Sequence, residues 1–269
     1  MLENNNQLYG KRLDAAAGDS GHGKGFLFGS RGTSATDFPE SIEKNQMISA
    51  ISTMNAPRVV RAEILDQLPE DSPAARASRG DLRIINRLLG SRAWFGSVLR
   101  ERRRAGERVL EIGAGTGELG WALSAIVPDL AGLDLGRRPI DWPQPGRWFQ
   151  TDVLEFAGWA GFPLVIGNLF FHHFDREELG RIGAQLSRHA RVIVASEPLR
   201  ARRTERLFSL LCLLIHAHPV TRHDGRVSIA AGFRHDELPR LLRLDPAIWN
   251  WRVRETWRGA CRLVAERRS

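Results

Sequence analysis

Short apolar runs alternate with amphipathic segments along the second half of the chain. Runs rich in Val, Ile, Leu and aromatic residues predict strands, whereas apolar residues at helical spacing predict helices. Strands are predicted at 108–112, 130–135, 148–151, 164–168 and 190–196, and helices at about 118–126 and 176–189. This alternation is typical of a doubly wound parallel sheet.

The two ends of this region differ from its centre. Residues 249–256 and 260–266 flank a Trp-Arg-Gly turn and alternate in part, which predicts an antiparallel C-terminal hairpin. From Pro57 to Leu99, apolar residues recur at helical spacing and predict helices that cover the sheet. The predicted fold is therefore α/β, with a doubly wound, mostly parallel seven-stranded sheet and helices on both faces.

The composition divides the chain at about residue 56. Residues 1–56 are rich in Asn, Gly, Ser and Thr without periodicity, so we expect a disordered extension and take Met54 as the candidate functional start. Residues 57–269 suit one large domain, with 57–105 as a helical cap and 200–235 as an insertion on the substrate side.

Cysteine content and charge limit the location and the partners. The chain has two cysteines and no recognisable signal peptide, and its longest apolar run, 207–215, is too short to span a membrane. We therefore expect a cytoplasmic protein. The net charge of +8 permits a nucleic-acid partner. The arginines are interleaved with acidic and apolar residues, however, which favours a solvated basic surface.

Glycines follow the first predicted strand, in the segment Val109 to Gly117. Because glycine lacks a Cβ and tolerates positive φ, Gly113, Gly115 and Gly117 would allow a ligand to approach the backbone. The run from Gly115 to Gly120 also matches the dinucleotide pattern G-x-G-x-x-G, with Asp134 near the offset of a ribose-binding acid. The glycines alone therefore do not decide between a dinucleotide and a different ligand.

Three polar residues distinguish a dinucleotide site from a site for a different ligand. Glu111 precedes the glycines, where it would repel a pyrophosphate and attract an ammonium group. Asp152 follows the third strand, where it could accept a hydrogen bond from an adenine amino group, and Asn168 follows the fourth. As structural alternatives, Asp134 and Asp152 could be turn or helix-cap residues, and Glu111 could pair with an arginine.

In this strand order the residues resemble the motifs of class I S-adenosylmethionine-dependent methyltransferases over roughly residues 80–269. The resemblance implies S-adenosylmethionine as cofactor, with the glycines along its methionine portion, Asp134 on the ribose hydroxyls and Asp152 at the adenine. The implied cofactor-binding residues are Glu111, Gly113, Ala114, Gly115, Gly117, Asp134, Leu135, Asp152, Val153 and Asn168.

Aromatic residues and histidines follow Asn168, at the end of a central strand where ligands bind in this fold. Phe170 and Phe171 are candidates for a substrate wall, and His172 or His173 for the base that removes a hydroxyl proton. Alternatively, one histidine caps the next helix or packs on the sheet. Further candidate substrate contacts are Glu197, His218 and His223. The apolar helix around 203–217 and the histidine loop after it would form a lid over an apolar substrate.

Three histidines and an acid also occur close together between His216 and Asp224. A His-x-His with a nearby His-Asp could bind zinc, but no thiolate or second close pair accompanies it. We therefore expect no metal there.

Three functions remain open. The C-terminal half resembles uncharacterised bacterial methyltransferases expected to act on small lipophilic or phenolic products, which favours O-methylation of such a small-molecule substrate. The segment Asn168 to Phe171 is faintly similar to an element of nucleic-acid N-methyltransferases, although the usual proline is missing and no separate basic module stands out. A non-catalytic cofactor-binding protein is the third. The acceptor atom and the oligomeric state are left open.

Overall fold

A computed structural model describes residues 57–69, 71–128, 130–143 and 147–268, so the extension at 1–56 and Met54 lie outside the described residues. Seven strands form one sheet in the order β3-β2-β1-β4-β5-β7-β6. They are β1 (Val109–Ile112), β2 (Leu130–Asp134), β3 (Trp148–Gln150), β4 (Leu164–Asn168), β5 (Val192–Pro198), β6 (Trp249–Glu255) and β7 (Ala260–Arg267).

The first five strands are parallel, and β7 runs antiparallel between β5 and β6. The predicted fold class is thereby confirmed, including the antiparallel C-terminal hairpin. The fifth strand starts and ends two residues later than predicted, because its last residues still pair with β7 as far as Pro198 and Ala260. From β1, the chain adds β2 and β3 on one side of the sheet and then crosses to add β4 and β5 on the other side. Open α/β sheets bind ligands at this switch point, between β1 and β4.

Helices cover both faces of the sheet. They are α1 (Pro73–Leu89), α2 (Ser91–Arg102), α3 (Glu118–Leu123), α4 (Arg176–His189), α5 (Arg202–Leu214), α6 (Pro219–Ala231) and α7 (Glu237–Leu241). Because side chains alternate along a strand, β1 contributes to two cores. Val109 packs with Phe95 of α2, whereas Leu110 lies in the core that contains Ile182 of α4.

The segment before α1 differs from the prediction. Residues 57–64 are not helical, and only a short 3-10 helix, Leu65–Gln67, follows them. The Asp224 carboxylate accepts the backbone N–H groups of Ile64 and Leu65, and the Val59 N–H bonds to the Ala230 carbonyl. These contacts with α6 compete with local helix formation, so the apolar spacing in this segment misled the prediction.

The expected histidine-rich loop in 200–235 is also different. It is largely helix α6, which begins at Pro219 with the His218 side chain accepting the Val220 N–H as an N-cap. The preceding helix α5 leaves Leu210, Leu213 and Leu214 more than half exposed, so it is not a core helix. Within the described residues, no helix has the length and apolar character needed to cross a membrane.

Candidate active site

The loop after β1 depends on glycine. Gly113, Gly115 and Gly117 have φ angles of 66°, 51° and 76°, which disfavour residues with a Cβ. A Cβ on Gly113 would lie 2.0 Å from the Phe170 ring, whereas a Cβ on Gly115 would meet no atom within 4 Å. Gly113 is therefore required for packing, and Gly115 is the glycine that leaves its backbone accessible.

Glu111 lies beneath this loop and is 3% exposed. Burial, together with the like charge of Asp134, raises the pKa of Glu111 to about 8, and an opposing interaction with the Gly120 amide is weaker. Its Oε2 atom has no hydrogen-bond partner among the described residues. No arginine pairs with this carboxyl in the described part of the chain, so the structural alternative of an ion pair finds no support there.

Asp134 lies at the end of β2 and faces the glycine loop. Its Oδ2 accepts the Gly115 N–H at 2.8 Å, and its Oδ1 accepts the Gly136 N–H at 2.7 Å. These bonds hold the two loops against each other. They also fix the carboxylate at the cavity wall, where it retains acceptor capacity for further hydrogen bonds.

The next two strands contribute Asp152 and Asn168. Asp152 caps its own turn, because Oδ1 accepts the Leu154 N–H at 2.9 Å, and it also lines the cavity. The Oδ1 atom of Asn168 is buried without a hydrogen-bond partner among the described residues. A buried unpaired amide oxygen is costly unless a ligand or water satisfies it.

One cavity of about 1990 Å³ brings these residues together with the histidine pair. Among the predicted site residues, those that line it are Glu111, Gly113, Ala114, Gly115, Asp134, Leu135, Asp152, Val153, Asn168, Phe170, His172 and His173. Those that do not line it are Gly117, Phe171, Glu197, His218 and His223. The cavity is larger than a typical pocket for one drug-sized ligand, which suits a cofactor and an acceptor side by side.

Glu197 is fully buried and positions the segment after β4. Its Oε1 accepts the N–H groups of Phe170 and Phe171, and its Oε2 accepts the His172 N–H and lies 2.8 Å from His172 Nδ1. From the sequence, Glu197 and Phe171 were predicted to contact the substrate. In the structure both are buried behind the cavity wall, because the carboxylate is needed to satisfy three backbone amides.

His172 and His173 pack ring against ring, with centroids 4.1 Å apart. Burial works to lower the pKa of His172, but Glu197 and Glu63 outweigh it and raise that pKa to about 9. Burial and the neighbouring charge of His172 lower the pKa of His173 to about 4. The two rings thus have different proton affinities despite being adjacent in the chain.

Glu63 and Asp66, which were not predicted as site residues from the sequence, line the same cavity. Glu63 Oε1 lies 3.6 Å from His172 Nε2 and accepts a hydrogen bond from the Ser228 hydroxyl. Although burial opposes it, the two histidines lower the pKa of Glu63 to about 2. Burial and the charges of Glu63 and Asp224 raise the pKa of Asp66 to about 7. No local motif marks either residue, since distant contacts bring this segment to the site, among them hydrogen bonds with α6 and one from Arg58 to the His172 carbonyl.

His218 and His223 have local structural partners instead. His218 caps α6, and the His223 Nδ1 atom lies 2.9 Å from the Asp224 carboxylate that holds the N-terminal segment. The predicted substrate contacts at these two positions therefore lie outside the cavity lining.

With this geometry established, comparisons with solved structures identify the fold. The plantazolicin methyltransferase BpumL, solved with S-adenosylhomocysteine (SAH), superposes with a TM-score of 0.58 at 14% identity over 74% of this chain and 92% of that one. The plantazolicin methyltransferase BamL, solved with a triazolic desmethylPZN analogue and SAH, gives 0.58 at 10% identity over 76% and 92%. The fold is that of S-adenosylmethionine-dependent methyltransferases.

A further match is the methyltransferase domain of bacterial CtHen1-C, with a TM-score of 0.50 at 13% identity over 68% of this chain and 98% of that one. No protein-family model matches the sequence, and neither does any curated protein. At these identities the structural likeness establishes the fold alone, so the function rests on the site.

Proposed function

We propose that the protein is an S-adenosylmethionine-dependent methyltransferase. The observation that carries this proposal is the pair of buried oxygens without a hydrogen-bond partner among the described residues, Glu111 Oε2 and Asn168 Oδ1, on residues that line the same cavity as Gly115. A ligand with an ammonium group suits the first oxygen, and one with hydrogen-bond donors suits the second. A dinucleotide would instead bring its pyrophosphate towards Glu111 and Asp134.

The residues present fit S-adenosylmethionine, which supplies an electrophilic methyl group when bound. Glu111 and the backbone at Gly115 would hold the methionine portion, and Asp134 would accept hydrogen bonds from the ribose hydroxyls. Asp152 and Val153 would border the adenine, and Asn168 would face the methionine end. These assignments follow the strand order, because the carboxyl ends of parallel strands meet at one edge of the sheet.

For the acceptor we propose a small lipophilic or phenolic molecule. Five apolar residues of α5 line the cavity: Leu207, Phe208, Leu210, Leu211 and Leu214. Three of them, Leu207, Leu210 and Leu214, are also exposed to solvent. An apolar surface of this kind marks a binding site for apolar ligands. BpumL and BamL, which share the fold, were solved with desmethylPZN analogues, so the fold accommodates acceptors other than nucleic acid.

The acceptor end of the cavity contains Asn168, Phe170, His172 and His173. Methyl transfer is an in-line displacement, so the protein has to align the acceptor oxygen and dispose of its proton. We propose the histidine pair for this role, with Glu197 as the positioning residue that fixes His172.

A labelled-methyl assay tests this function. Purified protein is incubated with S-adenosylmethionine carrying a labelled methyl group, with alkylphenols in one arm and total RNA in the other. We expect label in the alkylphenols, which is lost in Asp134→Ala. Label transferred to RNA alone would replace the small-molecule acceptor with a nucleic acid. No binding of SAH by the folded protein would overturn the methyltransferase itself.

A further inference from the structure

Three potential metal ligands converge at the acceptor end of the cavity. Glu63, His172 and His173 each offer one donor atom, and these atoms lie within 4.8 Å of one another. They come from two segments far apart in the sequence, the irregular stretch before α1 and the short 3-10 helix Phe171–His173 after β4. All three residues also line the cavity, so the cluster is accessible to ligands.

The spacing suits a bridging ion better than direct hydrogen bonding. The Glu63 Oε1 to His172 Nε2 distance of 3.6 Å is too long for a hydrogen bond. Donor atoms that share one metal at about 2.1 Å are roughly 3 to 4 Å apart. The Glu63 and His172 atoms already have this separation, and the His173 donor atom lies within 4.8 Å of both.

The outer contacts also match those of a metal site. His172 Nδ1 lies 2.8 Å from Glu197 Oε2, which leaves Nε2 directed at Glu63 and the cavity. A carboxylate behind a ligating histidine fixes the ring orientation and raises its basicity. Glu63 is in turn held by the Ser228 hydroxyl. His172 and Glu63 are therefore each oriented by a second side chain, Glu197 behind the cavity wall and Ser228 in the cavity lining.

We infer that Glu63, His172 and His173 bind a divalent first-row transition-metal ion, such as zinc or cobalt, with open coordination positions towards the cavity. Two imidazoles and one carboxylate without thiolates form a donor set that suits such ions and leaves room for exogenous ligands. Imidazoles that hold the ion cannot also accept the proton of the acceptor, so the ion would take over this role: it would bind an acceptor oxygen and lower the pKa of its hydroxyl. Only this last role rests on the proposed methyltransferase function.

Cobalt binding tests the inference without any activity measurement. Tag-free protein is stripped with a chelator and titrated with Co²⁺, while visible absorption and calorimetry are recorded. We expect one equivalent to bind with ligand-field bands. Glu63→Gln and His173→Gln keep the side-chain volume and should each weaken binding at least tenfold, whereas the exposed His235→Ala should bind as the wild type does.

Thermal unfolding of each metal-free variant verifies folding, and the two conservative variants provide independent readings. Equal Co²⁺ affinity in the wild type and both variants, or no stoichiometric binding by the wild type, would overturn the site. SAH binding is measured on the same samples. Co²⁺ binding without SAH binding would retain the metal site while contradicting the proposed function. A phenol that perturbs the cobalt bands would support coordination of the acceptor.

Discussion

At the scale of single residues, Glu111 is a buried acid whose principal charged neighbour is another acid, Asp134 at the end of β2. A structural role alone would favour an apolar or amide side chain here, because burying a carboxyl without a partner costs free energy. The ammonium group of the proposed ligand would offset this cost. The strand-end position of Glu111 could be predicted from the sequence, but its burial could not.

The raised pKa of Glu111 has a consequence for stability. Since the folded protein holds this proton up to a pKa of about 8, whereas an unfolded Glu releases it near 4.5, stability is lost as pH rises through this window. We expect the wild type to lose unfolding free energy relative to Glu111→Gln between pH 5 and 8.5, by about 1.4 kcal/mol for each unit of pKa difference at most. Urea unfolding at both pH values measures this difference, and parallel pH profiles would contradict it.

The glycine loop offers a matched pair of substitutions. Gly115 and Gly106 both have positive φ, of 51° and 75°, and a Cβ on either would meet no atom within 4 Å. Gly115→Ala and Gly106→Ala should each cost about 1–2 kcal/mol of stability through backbone strain. Only Gly115→Ala should weaken SAH binding, by tenfold or more, because its methyl group enters the space above the loop. Equal SAH affinities of the two variants would remove the loop from the binding site.

At the scale of elements, strands and long helices could be predicted because their periodicity reflects local packing. Helix α4 spans the predicted 176–189, since it has one apolar face and begins with a capping box formed by Asp175 and Glu178. The segment at 57–64 could not be predicted, because its conformation is set by hydrogen bonds to Asp224 and Ala230, far along the chain. Glu63 was missed for the same reason.

Helix α5 makes a separate test of the acceptor possible. Leu210 and Leu213 are both more than half exposed on this helix, but only Leu210 lines the cavity. Leu210→Glu should raise KM for an alkylphenol about tenfold, which corresponds to losing roughly 1.5 kcal/mol of apolar contact, and leave SAH affinity unchanged. Leu213→Glu should change neither value. Unchanged kinetics in Leu210→Glu would separate α5 from acceptor binding.

At the scale of the whole molecule, the sheet order places the ends of β1, β2, β3 and β4 along one edge, and the cavity follows that edge. The antiparallel β7, inserted between β5 and β6, distinguishes this sheet from the strand order 3-2-1-4-5-6 of dinucleotide-binding domains. The sequence analysis could predict the fold and the strand-end acids from spacing. It could not predict which side chains face the cavity: Glu197, for example, accepts the distant backbone amides of Phe170 and Phe171, which only the folded chain brings to it.

The measurement that tests the central claim most directly is calorimetric titration of the protein with SAH, alongside Asp134→Ala. The account predicts saturable binding of one SAH per chain. In folded Asp134→Ala, SAH binding should be weaker by about tenfold or more, as expected for a lost hydrogen bond to a charged group. A folded wild-type protein that shows no heat of binding, or a variant that binds SAH as tightly as the wild type, would contradict the account.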